Sequence, residues 1–168
     1  MKKAILAGVG AMALLLVGTA ANAVISGRVG SFTDHQRFVH QTDAWATAAG
    51  AFVDVPGATT VVTVRAGTRA MISARFSAES QCGGTGGWCS VRIVLVRPNG
   101  TALELNPQSH TDFAFDSAGD LWESHAIERT SPYLAAGNYR IKVQAGTVAG
   151  STFIRLDDWT LAVERIRP

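Results

Sequence analysis

The chain has 168 residues, of which 15 are Lys or Arg and 13 are Asp or Glu, and its formal net charge is +2 at pH 7. Lys2 and Lys3 account for that excess, so the rest of the chain carries 13 basic and 13 acidic residues. A neutral chain whose charges are scattered singly lacks the basic surface with which proteins bind nucleic acids or anionic membranes.

The N-terminus has the pattern of a secretory signal peptide. Two lysines precede an apolar run over residues 4–17, and the small residues Ala-Asn-Ala end at Ala23. The apolar run is shorter than the ~20 residues of a spanning helix, which disfavours a membrane anchor. We therefore expect residues 1–23 to be a signal peptide, and residues 24–168 to form a single periplasmic or extracellular domain with no membrane span.

The first part of this domain contains short strand-like segments. Residues 24–42 show only a hint of an entering strand, and the stretch DHQRFVHQTDAW predicts a polar connection. Three β-rich segments follow at residues 51–55, 59–65 and 70–77, and the pairs Pro-Gly and Ala-Gly between them predict turns.

Residues 74–96 predict a β-hairpin stapled by a disulfide. Apolar and polar residues alternate on both sides of a loop that Cys82 and Cys89 bracket, and four of the six residues between the cysteines are glycine. Glycine allows the positive φ angles of an irregular loop but must be ordered on folding. Two cysteines in an exported chain favour a disulfide over a metal or redox pair.

The rest of the chain continues the pattern of short strands. Turn residues separate predicted strands at residues 102–105, 112–115, 122–129, 138–145, 153–156 and 159–163. No segment of twelve or more residues shows sustained helical periodicity. The sequence therefore predicts an all-β fold, an antiparallel β-sandwich or jelly roll of about nine short strands with one disulfide.

Several of these segments also carry a resemblance to known proteins. The succession FVDVPG, AGTRAMISARFSAESQC, CSVRI, LAAGNYRIKVQ and FIRLDDWTLAVE resembles a group of small uncharacterised exported bacterial proteins. It is more loosely similar to the C1q and tumour-necrosis-factor jelly rolls, in which a G-x-Y-x-x-x-V strand follows a late turn, as Gly137, Tyr139 and Val143 do here. The resemblance implies a jelly-roll fold over most of residues 51–164 and implies no function.

The residues that could carry catalysis or hold a metal do not form a recognised motif. The histidines are widely spaced, no G-x-S-x-G motif is present, and the aspartates do not follow the D-x-D-x-D-G pattern of a calcium loop. We therefore assign no catalytic residue, no metal site and no cofactor, and we expect one carboxylate of the Asp157-Asp158 pair to hydrogen-bond to neighbouring backbone. The alternative is a calcium site whose ligands come from loops that are distant in sequence. The residues considered are His35, His40, His110, His125, Asp112, Asp116, Asp120, Asp157 and Asp158.

Among the tryptophans, Trp88 is the candidate for ligand binding. Exposed aromatic rings serve as stacking platforms for sugars, and Trp88 lies beside Cys89 in the glycine-rich loop. The alternative is that its indole covers the disulfide and seals the end of the core. Trp159 alternates with Leu161 and Val163 and is expected in the core.

These observations favour an exported, non-enzymatic β-sandwich module that binds a ligand or assembles with a partner at the cell envelope or outside the cell. The partner would be a glycan, an envelope protein or a second copy of the chain. The alternative is a small secreted hydrolase, similar to a glycosidase, whose carboxylates come together from separate strands.

Overall fold

The structure, a computed structural model, describes residues 32–108, 113–116 and 121–168. The predicted signal peptide, His110, Asp112 and Asp120 lie outside these residues. Nine strands form within them: β1 (Phe32–Gln41), β2 (Trp45–Thr47), β3 (Val53–Val64), β4 (Met71–Gly84), β5 (Trp88–Val96), β6 (Ala102–Glu104), β7 (Glu123–Thr130), β8 (Gly137–Val148) and β9 (Ser151–Arg167).

The strands form two antiparallel sheets packed face to face. Sheet A has the order β1-β9-β4-β7, and β2 also pairs with β9, while sheet B has the order β3-β8-β5-β6. Without the three-residue β2, the other eight strands follow a jelly-roll arrangement. The predicted fold class, an all-β antiparallel sandwich or jelly roll with one disulfide, is confirmed.

The core lies between the inner faces of the two sheets. In β8 the predicted alternation holds, since Ile141 and Val143 are buried whereas Arg140 is exposed. Trp159, only 2% exposed, lies in the core as predicted, with its ring centroid 6.0 Å from that of Phe76. Because successive side chains of a strand point to opposite faces of its sheet, the polar residues that alternate with the core residues lie on the outer faces.

Three predicted features of the strands are wrong. Residues 32–41, predicted in part as a polar connection, form β1 along the edge of sheet A. Residues 51–55 and 59–65 belong largely to the single strand β3, whose register shifts between Asp54 and Thr59. The last two predicted segments lie within β9, which has 17 residues, so several strands are not short.

The segment around the disulfide is also not a hairpin. The Cys82–Cys89 bond forms as predicted, with the Cα atoms 5.8 Å apart. However, β4 pairs with β7 and β9 in sheet A, whereas β5 pairs with β6 and β8 in sheet B. The bond therefore joins the two sheets at one end of the sandwich, which we call the disulfide end.

Glycine is required in the connection between β4 and β5 because that connection touches the one between β8 and β9. A Cβ atom on Gly87 would lie 1.9 Å from the carbonyl oxygen of Ala149, in the neighbouring connection between β8 and β9. Such a distance is far inside van der Waals contact, so a side chain at residue 87 would force the two connections apart.

At the opposite end of β4 an ion pair links the sheets. Asp34 of β1 accepts two hydrogen bonds from Arg165 of β9, at 2.6 and 2.8 Å, and also pairs with Arg167. Arg165 in turn donates to the carbonyl oxygen of Thr63 in sheet B. The side chains of Asp34 and Arg165 are only 8% and 7% exposed. Hydrogen bonds from Arg165 lower the pKa of Asp34 more than burial raises it.

Within the described residues, no helix has the length and apolar character needed to cross a membrane.

Replacing both Cys82 and Cys89 by serine should lower the free energy of unfolding by about 2–3 kcal/mol without changing the fold. The reason is that the bond closes a loop of about eight residues and so restricts the unfolded chain. Urea unfolding monitored by circular dichroism measures the loss. An unchanged midpoint, or free thiols in the denatured non-reduced protein, would contradict this role for the bond.

Replacing Asp34 by asparagine should cost about 3–5 kcal/mol, because it leaves the buried Arg165 without its counter-ion. Since the pKa of Asp34 is lower in the folded than in the unfolded chain, its stabilisation is present above the unfolded value of about 3.9 and disappears as the pH falls through the folded value. Urea unfolding between pH 2 and 7 should show this component in the parent protein and not in Asp34→Asn.

The matched control is Asp43→Asn, because Asp43 is an exposed aspartate in the connection between β1 and β2. It should leave the free energy of unfolding and its pH dependence within about 0.5 kcal/mol of the parent. An equal effect of both substitutions would show that the ion pair between Asp34 and Arg165 does not cause the loss of stability.

Candidate functional site

The structure distinguishes the four tryptophans by their exposure. Trp159 is buried, Trp45 packs against the core, and Trp88, at the start of β5, is partly buried. A ligand-binding role for Trp88 stays a prediction. The most exposed of the four is Trp122, at 40%, which the sequence did not single out.

Trp122 lies at the disulfide end of sheet A, just before β7. The guanidinium carbon of Arg155 lies 5.3 Å from the centroid of its indole ring. Arg155 is on the outer face of β9, where it pairs with Gln81 of β4 and donates a hydrogen bond of 3.3 Å to the Gln81 side chain. The Arg155 side chain therefore contacts both the Trp122 ring and the outer surface of sheet A.

A second aromatic ring lies on the same surface. Phe153 of β9 pairs with Gly83 of β4, and a Cβ atom at Gly83 would lie 2.0 Å from a Phe153 ring carbon. The partly buried ring therefore leans across β4 in the direction of β7, and it does so because residue 83 has no side chain.

Together Trp122, Phe153, Arg155 and Gln81 form a surface that we call the aromatic platform. Strands β9 and β7 flank β4, so Phe153 in β9 and Trp122 just before β7 lie on opposite sides of β4. Ring faces can stack on the apolar face of a pyranose, while a guanidinium and an amide can bond to its hydroxyl groups. The platform thus combines the two kinds of contact that a sugar requires.

The described histidines do not converge on one site. His35 and His40 lie in β1 and His125 lies in β7, at opposite edges of sheet A. Among the His, Cys, Asp and Glu residues that the structure describes, no group of three could hold a metal ion.

One arrangement resembles a catalytic triad. The Ser80 hydroxyl lies 2.9 Å from Nδ1 of His125, and Nε2 of His125 lies 3.8 Å from a Glu123 carboxylate oxygen. Ser80 is fully buried on the inner face of β4, where a substrate carbonyl cannot reach its hydroxyl. The contact instead fastens the edge strand β7 to β4. A serine in the buried register of a strand is the sequence signal for such an internal bond.

The Asp157-Asp158 pair has the structural role that the sequence predicts. A carboxylate oxygen of Asp157 accepts a hydrogen bond of 2.9 Å from the backbone N–H of Asp158. Asp158 has a φ of +43°, an uncommon conformation for a residue with a side chain, at the point where the register between β4 and β9 shifts. The pair therefore belongs to a β-bulge.

No protein-family model matches the chain, and no curated protein has a matching sequence. Among solved structures, a chain of infectious bursal disease virus strain Gx is 12% identical with a TM-score of 0.46, over 79% of this chain and 32% of the viral chain. The chain thus spans about a third of that viral protein. Dimeric latent PorU from Porphyromonas gingivalis is 11% identical with a TM-score of 0.38, over 86% of this chain and 14% of PorU.

The CBM22-1 xylan-binding domain of Paenibacillus barcinonensis Xyn10C is 9% identical with a TM-score of 0.24, over 77% of this chain and 84% of that domain. At such scores the likenesses carry no argument about this chain's function, which has to be inferred from its own residues. The resemblance to small exported bacterial proteins stays a prediction.

Replacing Gly83 by alanine should displace the Phe153 ring, because the new methyl group occupies the space of the ring carbons. We expect a cost of about 1–3 kcal/mol in unfolding free energy, typical of overpacking, and altered ring resonances of Phe153 in NMR spectra. Gly50→Ala is the matched control, since a Cβ atom there meets nothing within 4 Å. Unchanged Phe153 resonances in Gly83→Ala would show that the ring does not lie across β4.

Proposed function

We propose that the protein is an exported, non-enzymatic binding module that holds a neutral oligosaccharide on the aromatic platform. The observation that carries this proposal is the exposure of Trp122 beside the Arg155 guanidinium. A tryptophan that contributed only to stability would be expected to bury more of its ring.

The chemistry of the platform supports a neutral ligand. The charge of Arg155 is directed at the Trp122 ring and at the Gln81 side chain, and both contacts hold the guanidinium in place. Its remaining N–H groups can donate to hydroxyl oxygens. Because the platform stands on the paired strands β4 and β9, its polar groups need little reorganisation on binding.

Export is part of the proposal. The N-terminal pattern of residues 1–23 supports it, and the Cys82–Cys89 bond is of the kind that persists in an oxidising compartment. In the periplasm or the medium the platform would meet glycans of the cell envelope or of the surroundings.

One observation favours the hydrolase alternative. Glu79 and Asp158 line a depression of about 230 Å³ together with His125, so two acidic residues border one depression, and glycoside hydrolysis uses a pair of carboxyl groups. Measuring the release of reducing ends from the oligosaccharides used below separates the two functions, because a binding module releases none.

Replacing Trp122 by alanine should weaken binding of a neutral oligosaccharide at least about tenfold, which corresponds to about 1.4 kcal/mol. Calorimetric titrations with xylohexaose, cellohexaose and mannohexaose would measure it. Stability should change by no more than about 1 kcal/mol, since the ring is exposed.

The control is Leu121→Ala, because Leu121 is the adjacent residue and is 63% exposed. This substitution should leave the dissociation constant within about twofold. The proposal is wrong if none of the three hexaoses binds, or if Trp122→Ala binds as well as the parent protein.

A further inference from the structure

A groove crosses the outer face of sheet B, on the side of the sandwich opposite the aromatic platform. Two depressions of about 470 and 540 Å³ adjoin there and share Val96, Gly100 and Arg140 as lining residues. One wall is the irregular part of β3 at residues 55–57, and the other is the turn at residues 97–100. The groove therefore follows β8, whose outward side chains form its floor.

At one end of the groove the cations are paired with their neighbours. Lys142 donates to Asp54 at 2.9 Å, and Gln144 donates to the other oxygen of the same carboxylate. Arg92 donates to Gln144 at 2.9 Å and lies 3.7 Å from a Glu104 oxygen. This network spans all four strands of sheet B, and each of its positive charges faces a negative one.

Arg140, in the middle of the floor, differs from these cations. Of the residues that the structure describes, none makes a hydrogen bond or ion pair with its side chain. Its cross-strand neighbours are Val61 and Val96, which lie on the same face. Val61 is 47% exposed, a high value for a valine in a strand. The floor therefore presents one unpaired guanidinium between two apolar side chains.

We propose that this groove binds an acidic oligosaccharide, with the anionic group of one sugar held by Arg140 and the apolar face of the ring lying on Val61 and Val96. A guanidinium donates two parallel hydrogen bonds to the oxygens of a carboxylate or a sulfate. The side-chain amide of Asn138 can donate to a hydroxyl group, because its carbonyl oxygen already accepts a bond from Thr63 at 2.7 Å.

The pairing of β8 favours a saccharide over a peptide as the occupant. Peptides that bind sheets in extended form add a strand at an exposed edge, where backbone groups are unpaired. Strand β8 lies between β3 and β5, and its backbone groups are used in pairing with both. A sugar chain has no backbone amides that need such partners. The proposal does not rest on the aromatic platform, which lies on the other sheet.

The test is calorimetric titration of the full domain with a hexamer of galacturonic acid and with a sulfated hexasaccharide, and with hexaglutamate as the acidic peptide. We expect at least one acidic saccharide to bind, Arg140→Ala to weaken it about tenfold or more, and Arg140→Lys to restore binding only in part because lysine lacks the planar fork. Which saccharide binds identifies the anion.

The matched control is Arg75→Ala, which removes an exposed arginine from a central strand of sheet A. It should leave binding of the acidic saccharide within about twofold. Equal weakening by Arg75→Ala and Arg140→Ala would show non-specific attraction to positive charge and overturn the proposal. Binding of neither acidic saccharide, or tighter binding of hexaglutamate, would also overturn it.

Discussion

The disulfide end is organised by the need to pass the chain from one sheet to the other within a few residues. Strand β4 ends at Gly84 in sheet A and β5 begins at Trp88 in sheet B, with the Cys82–Cys89 bond across the crossing. The connection between β8 and β9 makes the same passage alongside it, and Gly87 allows the two to touch. The aromatic platform lies at this end of the sandwich, on the outer face of sheet A.

At the other end of the sandwich, the ion pair between Asp34 and Arg165 links the two sheets by electrostatic attraction and hydrogen bonds. Asp34 and Arg165 are buried, and Arg165 reaches the Thr63 carbonyl of sheet B. A buried pair of this kind adds little compared with apolar packing, but removing one partner leaves an uncompensated charge. It therefore specifies how the edge strand β1 sits against β9 more than it adds to stability, and apolar packing between the sheets supplies most of the stabilisation.

The sequence predicted the interior better than the connectivity. Alternation identified the inner face of β8 and the burial of Trp159, because side-chain burial follows directly from period-two patterns. Alternation does not say which strand lies beside which. The alternation on either side of Cys82 and Cys89 therefore predicts a hairpin, whereas the two segments belong to different sheets.

Strand β1 was missed for a related reason. Its residues, FTDHQRFVHQ, are mostly polar because an edge strand covers little of the core, so the pattern resembles a connection. The signal that could have revealed the end of the sandwich was Arg165, which follows Trp159, Leu161 and Val163 in the buried register of β9. A charged residue in that register requires a buried partner of opposite charge, and Asp34 in β1 is that partner.

The aromatic platform and the groove both lie on outer faces of the sheets. The residues of each come from separate strands, so composition does not reveal them. Trp122 and Phe153 are 31 residues apart in the chain, and they lie on either side of β4 because β7 and β9 both pair with it. Likewise Arg140 is one of many arginines in the sequence, and what sets it apart is its place on the floor of the groove between Val61 and Val96, next to the paired Lys142. The two outer faces therefore differ in their expected response to salt. Stacking of a neutral sugar on the aromatic platform should be insensitive to ionic strength, whereas attraction of an acidic sugar to Arg140 should weaken as ionic strength rises. A neutral chain can thus present an aromatic surface and a cationic groove at once, because its balancing carboxylates are placed where they neutralise other cations.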